Sequence, residues 1–366
     1  ANLLKAPDLL FANLEAPYTD HPHPAPSLRT PLFPALRNLE VFAPAGFGVL
    51  SLANNHACDA GHEALLETRS RLNARGIATC GAGENLAAAR APAIIDAGGL
   101  KVAFLACASV FPMGYEARAT MPGLAPLRAY DLWKPGLESY HCPGSIPRSQ
   151  TVPDETDFAN LRQDIRRARE QANLVVVSMH WGDYLRPYFL TDHEKRTARW
   201  CIDEGADLVA GHHHHTLRGM EWYRGKPILY GLGHFVFDFA FDAEKDASEE
   251  RRALLAGLSE DEVGYQIAPR KGWPLLPFHA DARMTVFAWA KLGAQGVAEI
   301  GFVPCRLRPD GRVEAVDPAC AEGEEVLRYV DACNKTQKLS ARIEPGGALE
   351  LAGNRSVRVV AASPNA

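Results

Sequence analysis

Short apolar runs alternate with stretches of helical spacing through the first two thirds of the chain. LLFANLE and FGVLSLANNH read as strands, and GHEALLETRSRLNARG sets Leu65, Leu66 and Leu72 on one helical face before closing on Gly76. IATCGAG returns as a strand, and APAIIDAGGLKVAFLACAS predicts two strands joined across Gly98-Gly99, a hairpin signal. DFANLRQDIRRAREQANLVVVSMHWG predicts a helix and then a strand. TDHEKRTARWCIDEGADLVAGHHHH repeats that order, so both strands run out into histidine. Residues 110–153, rich in Pro, Gly and Tyr, predict an irregular loop of a length that is uncommon and often functional. Residues 239–280, with the charged piece AEKDASEERRALLAGL and a Pro-rich stretch, predict an insertion. ARMTVFAWAKL, GVAEIGFVPCRLRPDG and RVEAVDP predict antiparallel strands, and GEEVLRYVDACNKTQ a late helix. Residues 281–366 are expected to finish the sheet, giving one α/β domain over 1–366.

In open α/β sheets, ligands sit outside the carboxyl ends of the strands. Those ends carry Asn13 and Glu15, then Asn54, Asn55 and His56, then His180, then His212 to His215. All are expected to meet in one place. The histidine run follows Leu208-Val209-Ala210-Gly211 with no linker composition around it, which sets a purification tag aside. If the strand continues through it, His213 and His215 face one way while His212 and His214 face the other. A His-x-His pair supplies half of a metal site; the alternative is a polar loop of solvated histidines.

At 366 residues, with 47% hydrophobic and 23% charged residues, the chain has an ordinary globular composition and expects a sizeable core. A net charge of −5 with scattered basic residues leaves no electrostatic footprint for nucleic acid, which is not expected as a partner. Eight cysteines without a C-x-x-C favour buried reduced thiols over a zinc knuckle or a disulfide framework. No apolar stretch approaches the roughly 20 residues needed to span a bilayer. No signal peptide opens the chain, yet it enters a strand almost at once from Ala1. An N-terminally incomplete chain is therefore expected, soluble as given, with cell-surface or membrane attachment only through preceding residues.

NLEAP, SLANNHACDAG, GAGENLAAARAP, HWGDY, DEGADLVAGHHHH and PILYGLGHFVFD, in order over about residues 8–238, resemble the successive motifs of the CapA family. That family is named for poly-γ-glutamate capsule biosynthesis and is related to the calcineurin-like metallophosphoesterases. The resemblance implies a four-layer αββα sandwich of the metallo-dependent phosphatase type, with its first strand missing here. It implies that Asn55, His180, His213 and His215 ligate metal, that His56 donates a proton, and that Glu15 stands near the bridging carboxylate. Asn13, Asn54, Tyr184 and His234 then border the substrate. Two residues carry a structural alternative: Asp59 orients the His56 imidazole or caps the following helix, and Trp181 floors the pocket or fills the core.

The residue types fit this chemistry by themselves. Imidazole, amide oxygen and carboxylate suit one or two Mn, Zn or Fe ions, which clamp a phosphoryl or carbonyl oxygen and activate a water. Departures from the family pattern are a missing Gly-Asp opening, Tyr184 in place of a glutamate, His234 in place of an asparagine, and HHH in place of HPH. Three functions follow: metal-assisted hydrolysis of an amide or phosphoester, non-hydrolytic handling of an anionic polymer such as polyglutamate, and metal-independent acid/base epimerisation of a peptide residue.

Overall fold

The computed structural model describes residues 2–25, 31–134, 148–237, 239 and 260–362. The AEKDASEERRALLAGL piece of the expected insertion, 243–258, lies outside them. Leu10–Asn13, Phe47–Ser51 and Ala78–Cys80 form a parallel three-stranded sheet. A six-stranded sheet has the order Met220–Tyr223, Lys226–Leu229, Leu208–His212, Leu174–His180, Leu100–Ala108 and Ala93–Ala97. Its four inner strands run parallel, and each outer strand is the antiparallel arm of a hairpin.

Period-two burial decides what each face of the larger sheet meets. Val102, Phe104, Ala106 and Ala108 share a core with Val49 and Leu50 of the smaller sheet and with Leu65 and Leu72 of the helix His62–Asn73. Ala103, Leu105 and Cys107 face the other way. They pack with Val175, Val177 and Met179 against Leu161 and Ile165 of Glu155–Gln171 and Ala198 and Ile202 of Asp192–Glu204. Cover on both faces explains why these strands read as near-continuous apolar runs rather than alternating ones. The parallel strands end level, since Asn13 pairs with Ser51 and Ser51 with Cys80, while His180 lies between Ala108 and His212. The loops that leave these ends carry the candidate site.

Residues 281–366 do not finish this sheet. Met284–Gly293, Gly296–Leu307, Asn354–Ala361 and Ala341–Leu351 form an antiparallel sheet of their own, with Val313–Ala315 on Gly296–Leu307. Strands joined by tight turns pair with each other first, as Met284–Gly293 does with Gly296–Leu307 and Ala341–Leu351 with Asn354–Ala361, and the sheet is built from these two hairpins. Met284, Val286, Ile300 and Phe302 pack on Leu217, Met220 and Leu229 at the edge of the six-stranded sheet, and Val326 and Val330 of Ala321–Gln337 close that cluster. The irregular segment 110–153 also holds regular structure, because Ala129–Lys134 pairs antiparallel with Arg148–Pro153. Tyr130, Leu132 and Trp133 of that ribbon are exposed, so no burial pattern marks it in the sequence.

Six cysteines, Cys58, Cys80, Cys107, Cys201, Cys305 and Cys333, are buried free thiols, and Cys320 is an exposed one. Among the described residues no helix is long and apolar enough to cross a membrane.

Candidate metal centre

Glu15 follows the first strand of the small sheet, Asn55 and His56 follow the second, and His180 and His213 stand at neighbouring strand ends of the large sheet. A carboxylate oxygen of Glu15 and one imidazole nitrogen each of His180 and His213 lie within 4.8 Å of one another. Glu15 Oε1 is 3.8 Å from His180 Nε2, and Asn55 Oδ1 is 2.7 Å from the same nitrogen. The His180 and His213 rings are 4.7 Å apart and those of His213 and His215 6.0 Å apart. Glu15 Oε1 and His213 Nδ1 are both buried without a hydrogen-bond partner. Buried polar atoms are almost always paired, so a cluster of three ligand-type side chains in which Glu15 and His213 each keep an unpartnered buried atom is the kind of arrangement a cation satisfies.

The histidine run reaches this arrangement by a route other than strand alternation. The strand ends at His212, and His213 (φ 106°) and His215 (φ 60°) take left-handed backbone conformations. Such conformations cost a non-glycine residue about 1–3 kcal/mol and persist only where the surroundings hold them. His212 does not turn away from the site: its Nδ1 is 2.7 Å from His180 Nδ1, and its Nε2 is 2.9 Å from Ser178 Oγ. Ser178 and His212 thus form a hydrogen-bonded row that ends on His180 Nδ1 and fixes the ring, as outer partners fix a ligand imidazole, with Nε2 turned toward Asn55 Oδ1 and Glu15 Oε1. His214 points into the core, its Nε2 2.7 Å from Glu194 Oε1 and both side chains fully buried.

Burial decides most of the protonation states. It drives His213, His212 and His234 down to about 3, with His214 adding to the effect on His213 and His212. Burial and neighbouring histidines also hold His180 and His215 well below their ordinary value. These imidazoles are neutral at pH 7, which is the ligating form. Burial pushes Glu15 up to about 7, against the charge of His56 and a 2.9 Å hydrogen bond from Asn13 Nδ2. For His56 burial acts downward, but the hydrogen bond and charge of Asp59, with the charge of Glu15, leave it raised.

Asp59 is not a helix cap. Residue Gly61 occupies that position, and the Asp59 carboxylate meets His56 Nδ1 at 2.7 Å while accepting from Tyr115 OH at 2.9 Å and Leu32 N at 2.8 Å. Asn54 is fully buried and ties two strand ends together by donating to Asn13 Oδ1 and the Leu14 carbonyl, which leaves it no face toward a substrate. Trp181 is likewise a core residue, fully buried with its indole N–H on the Tyr230 carbonyl, and does not floor the site. Tyr184 stands edge-on to His213 and His215, and His234 Nε2 lies 2.6 Å from His215 Nδ1. Phe278, from the expected insertion, stacks on His215 at 4.2 Å. Sequence reasoning passed over Glu194, Tyr115, Phe278 and the inward role of His212. Only Glu194 left a signal, the Thr191-x-x-Glu194 capping box.

The site therefore has the donor set and the strand-end position of a metal centre on a mixed α/β fold. The chain belongs to the CapA-like family of bacterial capsule synthesis proteins, matching the family described as bacterial capsule synthesis protein PGA_cap over residues 1–239. It is similar to a probable polyglutamine synthesis accessory protein of Mycobacterium tuberculosis (strain CDC 1551 / Oshkosh), with 28% identity over 76% of this chain and 69% of that protein. The PGA biosynthesis protein CapA of Bacillus subtilis (strain 168) is 29% identical over 58% of this chain and 48% of its own length. For the capsule biosynthesis protein CapA of Bacillus anthracis the values are 30%, 56% and 43%. The chain thus spans about half the length of the Bacillus relatives it matches.

Proposed function

We propose that this chain hydrolyses an amide or phosphoester bond with the help of a bound transition metal, and that it acts on an anionic capsule-type polymer or a precursor of one. Its two packed sheets with helices on the outer faces correspond, on this reading, to the αββα sandwich of the metallo-dependent phosphatases. The observation that carries the proposal is the convergence of Glu15, His180 and His213, with Glu15 Oε1 and His213 Nδ1 buried and unpartnered. Two neutral imidazoles and a carboxylate suit Mn, Zn or Fe better than Ca or Mg. Asn55 and His215 are the remaining candidate ligands, one on each side of this core.

When bound, such an ion supplies Lewis acidity to the substrate's carbonyl or phosphoryl oxygen and promotes ionisation of water at neutral pH. The chain's own residues supply orientation and proton transfer. Asp59 holds His56 by Nδ1, which leaves Nε2 as the nitrogen free to protonate a leaving group. Tyr115 and Leu32 hold Asp59 in turn, so the donor is aimed before substrate arrives. Asn13 fixes Glu15 through Oε2, leaving Oε1 directed at His180. Tyr184 and Phe278 wall the imidazoles of His213 and His215.

The test is activity on γ-glutamyl amides and on phosphodiesters before chelation, after chelation, and after return of Mn²⁺ or Zn²⁺. The expected result is activity lost and then restored, whereas hydrolysis that survives complete chelation overturns the proposal. A second reading, metal-independent proton transfer at a peptide Cα, draws on two neighbouring acid/base groups: Glu15, pushed up to about 7 by burial, and His56, raised by Asp59 and Glu15 against burial. Solvent deuterium entering a substrate Cα without cleavage supports that reading, and its absence during turnover removes it.

A further inference from the structure

His213 and His215 are both held in left-handed backbone, and the residue between them is the one that points away from the site. His214 enters a closed socket. A Cβ on Gly182 would lie 2.1 Å from its Nε2, and one on Gly231 would lie 2.8 Å from its Nδ1. At the bottom of the socket its Nε2 meets Glu194 Oε1 at 2.7 Å. Glu194 is itself pinned, because its Oε2 accepts from Thr191 N at 2.7 Å and from Thr191 Oγ1 at 2.8 Å. The carboxylate sits in the first turn of Asp192–Glu204, where the helix dipole favours negative charge. One buried hydrogen bond therefore ties the first turn of an outer helix to the peptide that carries two candidate ligands.

We propose that Glu194 and His214 are positioning residues that set the aim of His213 and His215. With His214 locked into the core, the flanking residues have no room to relax into ordinary backbone. The His213 ring is thereby held against His180, and the His215 ring against His234 and Phe278. Removing the anchor frees the His213-to-His215 peptide to rotate while every ligand atom stays in the chain. This assignment rests on the metal-site reading for its consequence in ion binding, but not for its geometry.

The test uses the full chain as wild type, Glu194→Ala, His214→Ala and the shape-preserving Glu194→Gln, each checked for folding by circular dichroism. Two measurements are made on each: Co²⁺ affinity with its visible absorption spectrum, and the backbone chemical shifts of His213 and His215 in histidine-labelled protein. The expected result for Glu194→Ala and His214→Ala is a tenfold or greater loss of Co²⁺ affinity with an altered spectrum, in the range that outer partners of metal ligands command. The His213 and His215 shifts are expected to leave their left-handed values in the same variants, and Glu194→Gln to restore most of both. Folded Glu194→Ala and His214→Ala with wild-type shifts overturn the proposal, even if wild type binds Co²⁺. If wild type binds no Co²⁺ but the shifts move as expected, the positioning role stands and the metal reading falls. Should the alanine variants fail to fold, Glu194→Gln decides by its own shifts: near wild-type values support a hydrogen-bonded anchor, and shifts lost in a folded Gln variant overturn it.

Discussion

His56 and His213 are imidazoles of one site, yet their neighbours shift them in opposite directions. Asp59 and Glu15 raise His56 above its ordinary value against the effect of burial, while burial among other imidazoles pushes His213 down to about 3. Asp59→Asn keeps the shape and removes the charge. In the variant the falling alkaline limb of the pH–rate profile is expected to move to lower pH, with kcat reduced about 100-fold, the lower end of what a positioned general acid contributes. An unchanged profile contradicts the assignment. Stability of the ion-free protein follows from the same shifts. A histidine whose folded pKa is lowered keeps its full share of stability above the unfolded value of 6.5 and loses it as pH falls toward the folded value, about 3 for His212, His213 and His234. His180, His214 and His215 add in the same direction. Each such group withdraws about 1.4 kcal/mol per pH unit below 6.5. Glu15 and His56, both raised, act oppositely but are outnumbered. Thermal melts of chelated protein should therefore show a falling Tm between pH 7.5 and 5.5, and a flat or rising Tm contradicts the neutral buried cluster. The meeting of His180 and His213 was legible from their strand-end positions. Residue chemistry was illegible where a non-local partner decides the role, as when Glu194 claims His214 and Tyr115 claims Asp59.

Strand ends were readable because the apolar runs Leu174–His180 and Leu208–His212 stop at histidine and end level in the sheet. The rule that ligands gather beyond such ends needs no more than that. Hairpins with little burial were not readable. Ala129–Lys134 exposes its large side chains, and Ala341–Leu351 contains Pro345, Gly346 and Gly347, which read as breakers. The Met220–Tyr223 and Lys226–Leu229 hairpin turns at Arg224 and Gly225, both at positive φ, a geometry that the Arg-Gly pair does not advertise as Asn-Gly does. The element that delivers the ligands tolerates little. Gly182 lies at φ 91° against His214 and Glu194, so Gly182→Ala adds backbone strain to a clash. Its expected cost is about 2–4 kcal/mol of stability with reduced ion binding, read by chemical denaturation and by metal titration. A variant as stable as wild type contradicts the tight socket.

At the scale of the molecule, one parallel core does the positioning and the antiparallel sheet serves it from the side. Leu217, between the histidine run and Arg218, packs into the cluster that joins the two. Sequence pattern alone placed those late strands in the main sheet, because antiparallel strands with one buried face look alike whichever sheet they belong to. The family match spans residues 1–239, which end before the later sheet begins at Met284. The central claim is that side chains from the strand ends of the three-stranded and the six-stranded sheet meet around one ion. Anomalous X-ray diffraction from crystals grown with Mn²⁺ or Zn²⁺ tests it most directly. The account predicts a peak in coordinating contact with Glu15, His180 and His213, and a peak elsewhere, or none at saturating ion, contradicts it.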